Sequence, residues 1–390
     1  MMKVTSVVGA RPNFVKIAPI LWELDKRRIQ GFPIASLLVH TGQHYDEGMS
    51  EIFFRQLDLP QPDVYLGVGS GTHAEQTARI MIEFEKVCFQ ESPDLVIVVG
   101  DVNSTLACAL VAAKLCIPLA HVEAGLRSFD RTMPEEVNRV VTDHLADFLF
   151  THSEEANHNL ISEGIPAGRI FFVGNIMIDT LIRHRARAEA SEIRAKLQLQ
   201  DREYALLTLH RPSNVDDEGV LKSILHAIAE IQRRLPVVFP VHPRSRKKIE
   251  EFDIKNLIAE MSNMILVPPL GYLDFLHLMS HAAVVLSDSG GVQEEATILG
   301  VPCLTLRDGT ERPVTVTDGT NAVVGTKTHD IIQETFRVLA GTAGSNRTPP
   351  MWDGEAAKRI VSVILGWSGA TGMHPGLKAG GSASGFVVSR

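Results

Sequence analysis

No stretch of this chain approaches the ~20 consecutive apolar residues of a membrane span. Cysteine is scarce. Cys88, Cys108, Cys116 and Cys303 have no paired metal spacing and sit in apolar runs, so they read as buried thiols of a reducing cytosol. Basic residues are outnumbered, and the net charge of -8 excludes bulk attraction to nucleic acid or to an anionic membrane. Any anionic substrate must therefore be held by local cations. The chain has no G-x-x-x-x-G-K-S/T, no G-x-G-x-x-G, no H-E-x-x-H and no carboxylate cluster with metal spacing. ATP, NAD and a catalytic metal are thereby disfavoured, and no residue is assigned as a metal ligand. The N-terminus runs straight into an apolar strand pattern over 4–8, which predicts no signal peptide and a cytoplasmic protein. There is no internal repeat of short period.

What is present is strand–helix alternation. A chain of 390 residues is long enough for two domains of roughly 150 to 200 residues each. Short β-like runs fall at 3–8, 34–40, 95–99, 119–122 and 148–151. After a break they resume at 204–208, 237–241, 265–267, 284–286, 303–306 and 322–324. Helical patterns lie between them, at 12–28, 72–89, 102–115, 135–146, 219–234 and 330–339 among others. This alternation predicts parallel sheets covered on both faces, and its two halves predict two doubly wound, Rossmann-like α/β domains. The boundary is expected after Gly174 and Asn175, within the charged segment 183–201. Counted from Gly174, that gives domains over 1–174 and 175–352, a final amphipathic helix over 353–368, and a loose Gly/Ser/Ala-rich tail over 369–390.

In open parallel sheets ligands bind at the carboxyl ends of strands, so the residues following each strand matter most. The most informative stretch is 284–302, where an apolar run is followed by Ser287-Asp288-Ser289-Gly290-Gly291 and then a helical pattern. Ser289 is a natural N-cap, the glycines let a ligand approach the backbone, and the free N–H groups of the helix start suit a phosphate. Glu295 is expected on the first turn of this helix, where it can hold sugar hydroxyls. After the first strand, Gly9 permits a turn, and Arg11 and Lys16 can face a diphosphate. The polar loop Thr41-Gly42-Gln43-His44 is either a ligand loop or a capped helix start. Asp101 is either a carboxylate at the sheet mouth or a helix cap. Glu123 directly follows a buried strand, where an uncompensated carboxylate is costly, and this singles it out. Glu135 opens a helix begun by Pro134. Val137, Val140, Val141 and Leu145 are expected to turn that helix to the core, leaving Glu135 and Arg139 to pair on the opposite face. In the second half, His210 and His242 each end a strand and each is followed by an arginine, directly or after one proline. Arg312 follows another strand end. Carboxylates in one half, with His, Arg and a phosphate turn in the other, suggest a nucleotide held on one side of a cleft and acid/base chemistry supplied across it.

These motifs, GARPNFVKIAP, TGQH, GDVNSTLA, HVEAGLR, MPEEVNR, HSEEA, VGNIMIDT, LLTLHR, PVHP, DSGGVQEEA and RDGTERP, occur in order from Gly9 to about Gly325. Together they resemble the non-hydrolysing UDP-N-acetylglucosamine 2-epimerases. The resemblance implies a glycosyltransferase-B type fold, a nucleotide in the interdomain cleft, a homodimer, and a last helix packed back on the first domain. It implies interconversion of UDP-GlcNAc and UDP-ManNAc by anti elimination of UDP to 2-acetamidoglucal and re-addition, with no cofactor. It carries catalytic roles to Asp101, Glu123, Glu135 and His210. It carries nucleotide contacts to Arg11, His242, Ser289, Gly290, Gly291, Glu295 and Arg312, and an active-site position to Lys16. The sequence departs from the pattern in three places. Asn13 and Ser213 stand where glutamate is frequent, the segment from Arg127 to Pro134 is two residues shorter, and Tyr45-Asp46 replaces an arginine-containing loop. The last departure predicts weak or absent activation by UDP-GlcNAc at a second site. A related UDP-sugar, such as a UDP-2,3-diacetamido-hexuronate, is the alternative substrate, and a glycosyltransferase of the same fold is a more distant one.

Overall fold

The computed structural model describes residues 1–43, 47–341 and 347–367, with Arg11 and residues 47–51 described by backbone alone. The first sheet contains β1 (Met2–Val8), β2 (Ile34–His40), β3 (Val64–Tyr65), β4 (Leu95–Val99), β5 (Leu119–Ala124), β6 (Phe148–Thr151) and β7 (Ile170–Phe172), in the order β3-β2-β1-β4-β5-β6-β7. The second contains β8 (Ala205–Thr208), β9 (Val237–Pro240), β10 (Met264–Val267), β11 (Val284–Ser287), β12 (Cys303–Thr305) and β13 (Asn321–Val323), in the order β10-β9-β8-β11-β12-β13. Every strand pair is parallel. The alternation in the sequence thus becomes two doubly wound sheets.

Chemistry explains why these runs are strands. Every residue of β4, Leu-Val-Ile-Val-Val, is buried, as a strand covered on both faces requires. β3 and β7 escaped the sequence reading because they are short edge strands, with no fully buried residue to betray them. One apolar core runs from the first sheet (Val4, Ile97, Val122) through Met177 and Leu181 to the second sheet (Leu206, Val285). The helix Ile176–Glu189 therefore lies between the sheets. The last helix, Ala356–Gly366, packs against the helices Arg11–Ile29 and Ile176–Glu189. Its first N–H groups, from Ala356 and Ala357, donate to Asp179. Among the described residues, no helix is long and apolar enough to cross a membrane. Tyr45, Asp46 and the tail beyond residue 367 lie outside the described residues.

The helix Pro134–Leu145 corrects one expectation. Its buried residues are Glu136, Asn138, Arg139, Thr142 and Asp143, whereas Val137 is exposed. The polar face points inward because its partners are polar. Asp143 Oδ1 meets His121 Nδ1 at 2.6 Å, and Asp143 Oδ2 accepts from Arg127 Nη1 at 2.7 Å. The carboxylate of Glu136 accepts from the N–H groups of Ser128 and Phe129. A second correction concerns the thiols: Cys116 is exposed, while Cys88, Cys108 and Cys303 are buried.

Candidate active site

In each sheet the strand order reverses once, at β1/β4 and at β8/β11. A doubly wound sheet opens its ligand crevice at such a point. Gly9 leaves β1, and a Cβ there would lie 2.1 Å from Ser104 Oγ. Asn13 Oδ1 accepts from the N–H groups of Gly9 (3.1 Å) and Ala10 (3.0 Å), and its Nδ2 donates to the Val99 carbonyl (3.0 Å). Asn13 thus ties the exit of β1 to the end of β4. Gln43 does similar work, with Oε1 accepting from the backbone and hydroxyl of Ser104. Arg11 opens the helix Arg11–Ile29, and its side chain lies outside the described residues.

Glu123 lies within β5, one residue before the strand end. The register against β6 shifts between Val122 and Ala124, and Glu123 has φ 73. A non-glycine residue in the left-handed region is costly and is characteristic of functional sites. The irregularity re-aims the side chain, which is buried and ion-paired with Lys16 from the first sheet's layer. Its Oε1 accepts from Arg312 Nη2, which follows β12 of the second sheet, at 2.7 Å. Burial alone would raise the Glu123 pKa, but Lys16 and then Arg312 outweigh it and hold the carboxyl at about 2.

Asp101 does not cap the following helix, whose N-cap position is Val102. Its Oδ2 instead accepts from Arg139 Nη1 at 2.6 Å. Arg139 also donates to Glu136, through Nε at 3.0 Å and Nη2 at 2.8 Å. The expected Glu135–Arg139 pair is therefore replaced by an Asp101–Arg139–Glu136 bridge. The three-residue spacing and the loop N–H groups of Ser128 and Phe129 favour Glu136, which points inward where Arg139 is buried. Glu135 lines a cavity of about 600 Å³ together with Arg211, Ser213 and Arg307.

On the second sheet, Asp288 is fully buried at the end of β11. Its Oδ2 accepts from the backbone N–H groups of His210 and Arg211, each at 2.9 Å, and its Oδ1 lies 3.0 Å from His210 Nδ1. This carboxylate fixes the orientation of the His210 ring, as one does in many acid/base dyads. The His242 ring is 5.6 Å from that of His210, and its Nδ1 accepts from the Arg244 N–H. Ser289 occupies the N-cap position of the helix Gly290–Leu299, but its side chain makes no cap bond. The glycines here also serve packing. A Cβ on Gly290 would lie 2.3 Å from Arg312 Nη1, and one on Gly291 would lie 2.9 Å from Met177 Cε. Glu295 lies in the second turn of that helix, not the first, and accepts from the buried Tyr272 hydroxyl at 2.8 Å. Burial pushes its pKa to about 7.

Arg312 joins the two groups. Besides Glu123, it meets Glu294 through Nε at 2.9 Å and Glu311 through Nη1 at 2.7 Å. Glu311 in turn accepts from Arg211 at 3.2 Å and Arg307 at 2.9 Å. A continuous charged network thus runs from Lys16 through Glu123 and Arg312 to Arg211, the neighbour of His210. Of the residues singled out from sequence, Lys16, Glu123 and Arg312 meet directly, as do Asp101 and Arg139.

Comparison with known proteins agrees with this fold. The profile of the UDP-N-acetylglucosamine 2-epimerase family matches residues 28–365. The chain is 45% identical to the UDP-N-acetylglucosamine 2-epimerase of Methanocaldococcus jannaschii, over 93% of this chain and 99% of that one. The chain belongs to the UDP-N-acetylglucosamine 2-epimerase family. A solved M. jannaschii UDP-GlcNAc 2-epimerase, in complex with UDP-GlcNAc and UDP, superposes with a TM-score of 0.87 at 44% identity, covering 94% of this chain and 100% of that one. A Pseudomonas aeruginosa relative, a UDP-2,3-diacetamido-2,3-dideoxy-D-glucuronate 2-epimerase, is 42% identical over 93% of this chain and 99% of its own.

Within this epimerase-family site, several residues escaped the sequence reading. Asp288 was visible only as part of a turn. Glu294 stands beside Glu295, and it is Glu294 that meets Arg312. Burial pushes Glu294 up to about 7, with Arg312 opposing and the Glu123 charge adding to the rise. Glu311 stands in the sequence only as part of the motif RDGTERP; burial opposes its ionisation, but Arg312, Arg307 and Arg211 drive its pKa far below the usual range. His152, buried 3.6 Å from Glu294, has its pKa lowered to about 4 by burial. For Asp288, His152 and Glu294 the signal was position directly after a strand or in the first turns of the helix beyond it, whereas Glu311 lies in the loop between β12 and the next helix and carries no such signal.

Proposed function

We propose that this chain is an isomerase that interconverts UDP-GlcNAc and UDP-ManNAc by anti elimination of UDP and re-addition with reprotonation at C2. The observation that carries the reading is the buried Glu123 held between Lys16 and Arg312, where the mouths of the two sheets meet. The C2 proton is not next to a carbonyl, so C1–O cleavage must acidify it first. Arg312, Arg11, His242 and the N–H groups at Ser289, Gly290 and Gly291 stabilise the departing UDP. A diphosphate competes with Glu123 for Arg312. As Arg312 turns to it, the grip on Glu123 weakens and the carboxylate becomes a stronger base. Glu123 and Glu135 then take and return the C2 proton, Asp101 and the Asp288-oriented His210 support them, and Glu295 holds the ribose. No redox cofactor or catalytic metal is required.

Residues 1–174 and 175–352 act as two domains that close on the nucleotide, with the helix 353–368 belonging to the first. The enzyme works in the cytoplasm as a homodimer; the outward Val137 and the exposed Ile82 and Phe89 supply apolar surface of the kind a subunit interface covers. The test is purified protein with UDP-GlcNAc in deuterium oxide, followed by proton NMR. UDP-ManNAc should form and both epimers should carry deuterium at C2. Turnover of a UDP-2,3-diacetamido-hexuronate with none of UDP-GlcNAc would move the substrate to the other branch. Epimerisation without deuterium uptake would exclude a freely exchanging carboxylate base.

A further inference from the structure

We propose that Glu189, His277 and His281 form a binding site for a divalent transition-metal ion of the zinc class, with Asp201 orienting His281 from behind. None of the four belongs to the Glu123 network. Glu189 ends the helix Ile176–Glu189, His277 lies in the helix Tyr272–Ser280, and His281 is the C-cap of that helix. The four-residue spacing sets the two rings on one helix face, with centroids 4.6 Å apart. Glu189 Oε2 lies 2.9 Å from His281 Nε2 and 3.9 Å from His277 Nδ1. The three candidate ligand atoms all lie within 4.8 Å of one another. Ligand atoms bound tetrahedrally at ~2.0–2.2 Å sit roughly 3.3 Å apart, so the two shorter separations straddle the required value.

The hydrogen bonding points the same way. Asp201 Oδ1 lies 2.5 Å from His281 Nδ1. A proton on that nitrogen leaves the Nε2 lone pair of a neutral ring facing the Glu189 carboxylate. Two lone pairs at 2.9 Å repel unless a proton or a cation lies between them. His277 has the same need. Its ring is buried, it makes a backbone hydrogen bond with Ala188, and its Nδ1 has no hydrogen-bond partner. A buried polar atom without a partner is costly. One proton on His281 satisfies its Nε2 and the Glu189 oxygen but leaves His277 Nδ1 without a partner, whereas a metal ion satisfies all three. Two imidazoles and a carboxylate are a ligand set suited to Zn²⁺, and the carboxylate behind His281 matches the outer-shell arrangement of such sites. Arg194 donates to Asp201 at 2.7 Å and offsets part of its charge. A bound ion would clip the end of the helix between the two sheets to the helix preceding β11.

The test uses the full chain, stripped with a chelator, and Zn²⁺ itself as probe, with Co²⁺ as a spectroscopic substitute. We expect one Zn²⁺ per chain by calorimetry, a thermal midpoint raised by several degrees at saturating Zn²⁺, and the visible bands of tetrahedral Co²⁺. His277→Gln and His281→Gln should abolish the bands and weaken Zn²⁺ binding at least tenfold. Asp201→Asn should weaken it roughly 10- to 100-fold, the usual effect of losing such an outer partner. Glu189 and Asp201 are largely exposed, so Glu189→Gln and Asp201→Asn keep the test open if a histidine variant fails to fold. Absence of any midpoint shift or binding heat with the wild type would overturn the proposal. So would undiminished Zn²⁺ binding by the His277→Gln/His281→Gln double variant, because the ion would then sit elsewhere, for example on His210 and His242.

Discussion

Replacing Glu123 by Gln removes the charge and keeps the shape. Two consequences follow from its surroundings. Lys16 pairs with no other carboxylate among the described residues, so it is left as a buried, uncompensated cation. Arg312 keeps Glu294 and Glu311. Breaking a buried ion pair by removing one partner costs ~3–5 kcal/mol, and the retained partners of Arg312 place the expected loss of stability near the lower end, about 3 kcal/mol. The chemical loss is separate. A missing general base costs ~10² to 10⁴ in rate, which corresponds to ~3–5 kcal/mol of barrier. The two effects are similar in size, so rate alone does not separate them. We therefore pair three measurements on the same preparation: denaturant unfolding, UDP affinity by calorimetry, and turnover of UDP-GlcNAc in deuterium oxide. The expected pattern is a folded but weakened protein that binds UDP at least as tightly as wild type, since Arg312 is released toward the diphosphate. Turnover and deuterium uptake should fall together. Near-normal turnover would remove Glu123 from the mechanism, and a large loss of UDP affinity would refute the competition between Glu123 and the diphosphate for Arg312.

Other expectations concern the second sheet. The folded pKa of Glu295, about 7, lies above its ordinary 4.5, so the fold binds this proton more tightly than the unfolded chain does. Its contribution to stability is complete below pH 4.5 and is lost as pH rises through 7. Glu295→Gln, which can still accept from Tyr272, should therefore match wild type at pH 4.5 and exceed it by about 3 kcal/mol at pH 8 in ligand-free denaturation; equal stability at both pH values would contradict the assignment. Gly290→Ala would push a methyl group into the Arg312 guanidinium. We expect a stability loss of ~1–3 kcal/mol and a fall in kcat/KM of roughly 10², because Arg312 is displaced by about an ångström. Wild-type kinetics in this variant would show that Arg312 has room to move without consequence.

The strand–helix alternation was legible because buried parallel strands are continuous apolar runs, and Leu95–Val99 is one of them. Glu123 was legible for a related reason, since a carboxylate in such a run demands compensation. The candidates Gly9, Asp101, His210 and Gly290 were singled out by one rule, that ligands meet strand ends. The partners were not legible. Sequence spacing paired Glu135 with Arg139, but the tertiary structure turned the polar face of that helix inward and paired Arg139 with Asp101 and Glu136. Helical periodicity specifies which residues share a face. It does not specify whether that face meets an apolar core or a polar crevice. Likewise Gly290 was read as room for a ligand, whereas its missing Cβ also makes room for Arg312, some twenty residues further along the chain. The bridge from Glu123 to Arg312 and the cluster of Glu189, His277 and His281 join residues far apart in sequence. Short-range pattern determines which elements form and where their ends lie; only the packing of the two sheets decides which charges at those ends meet.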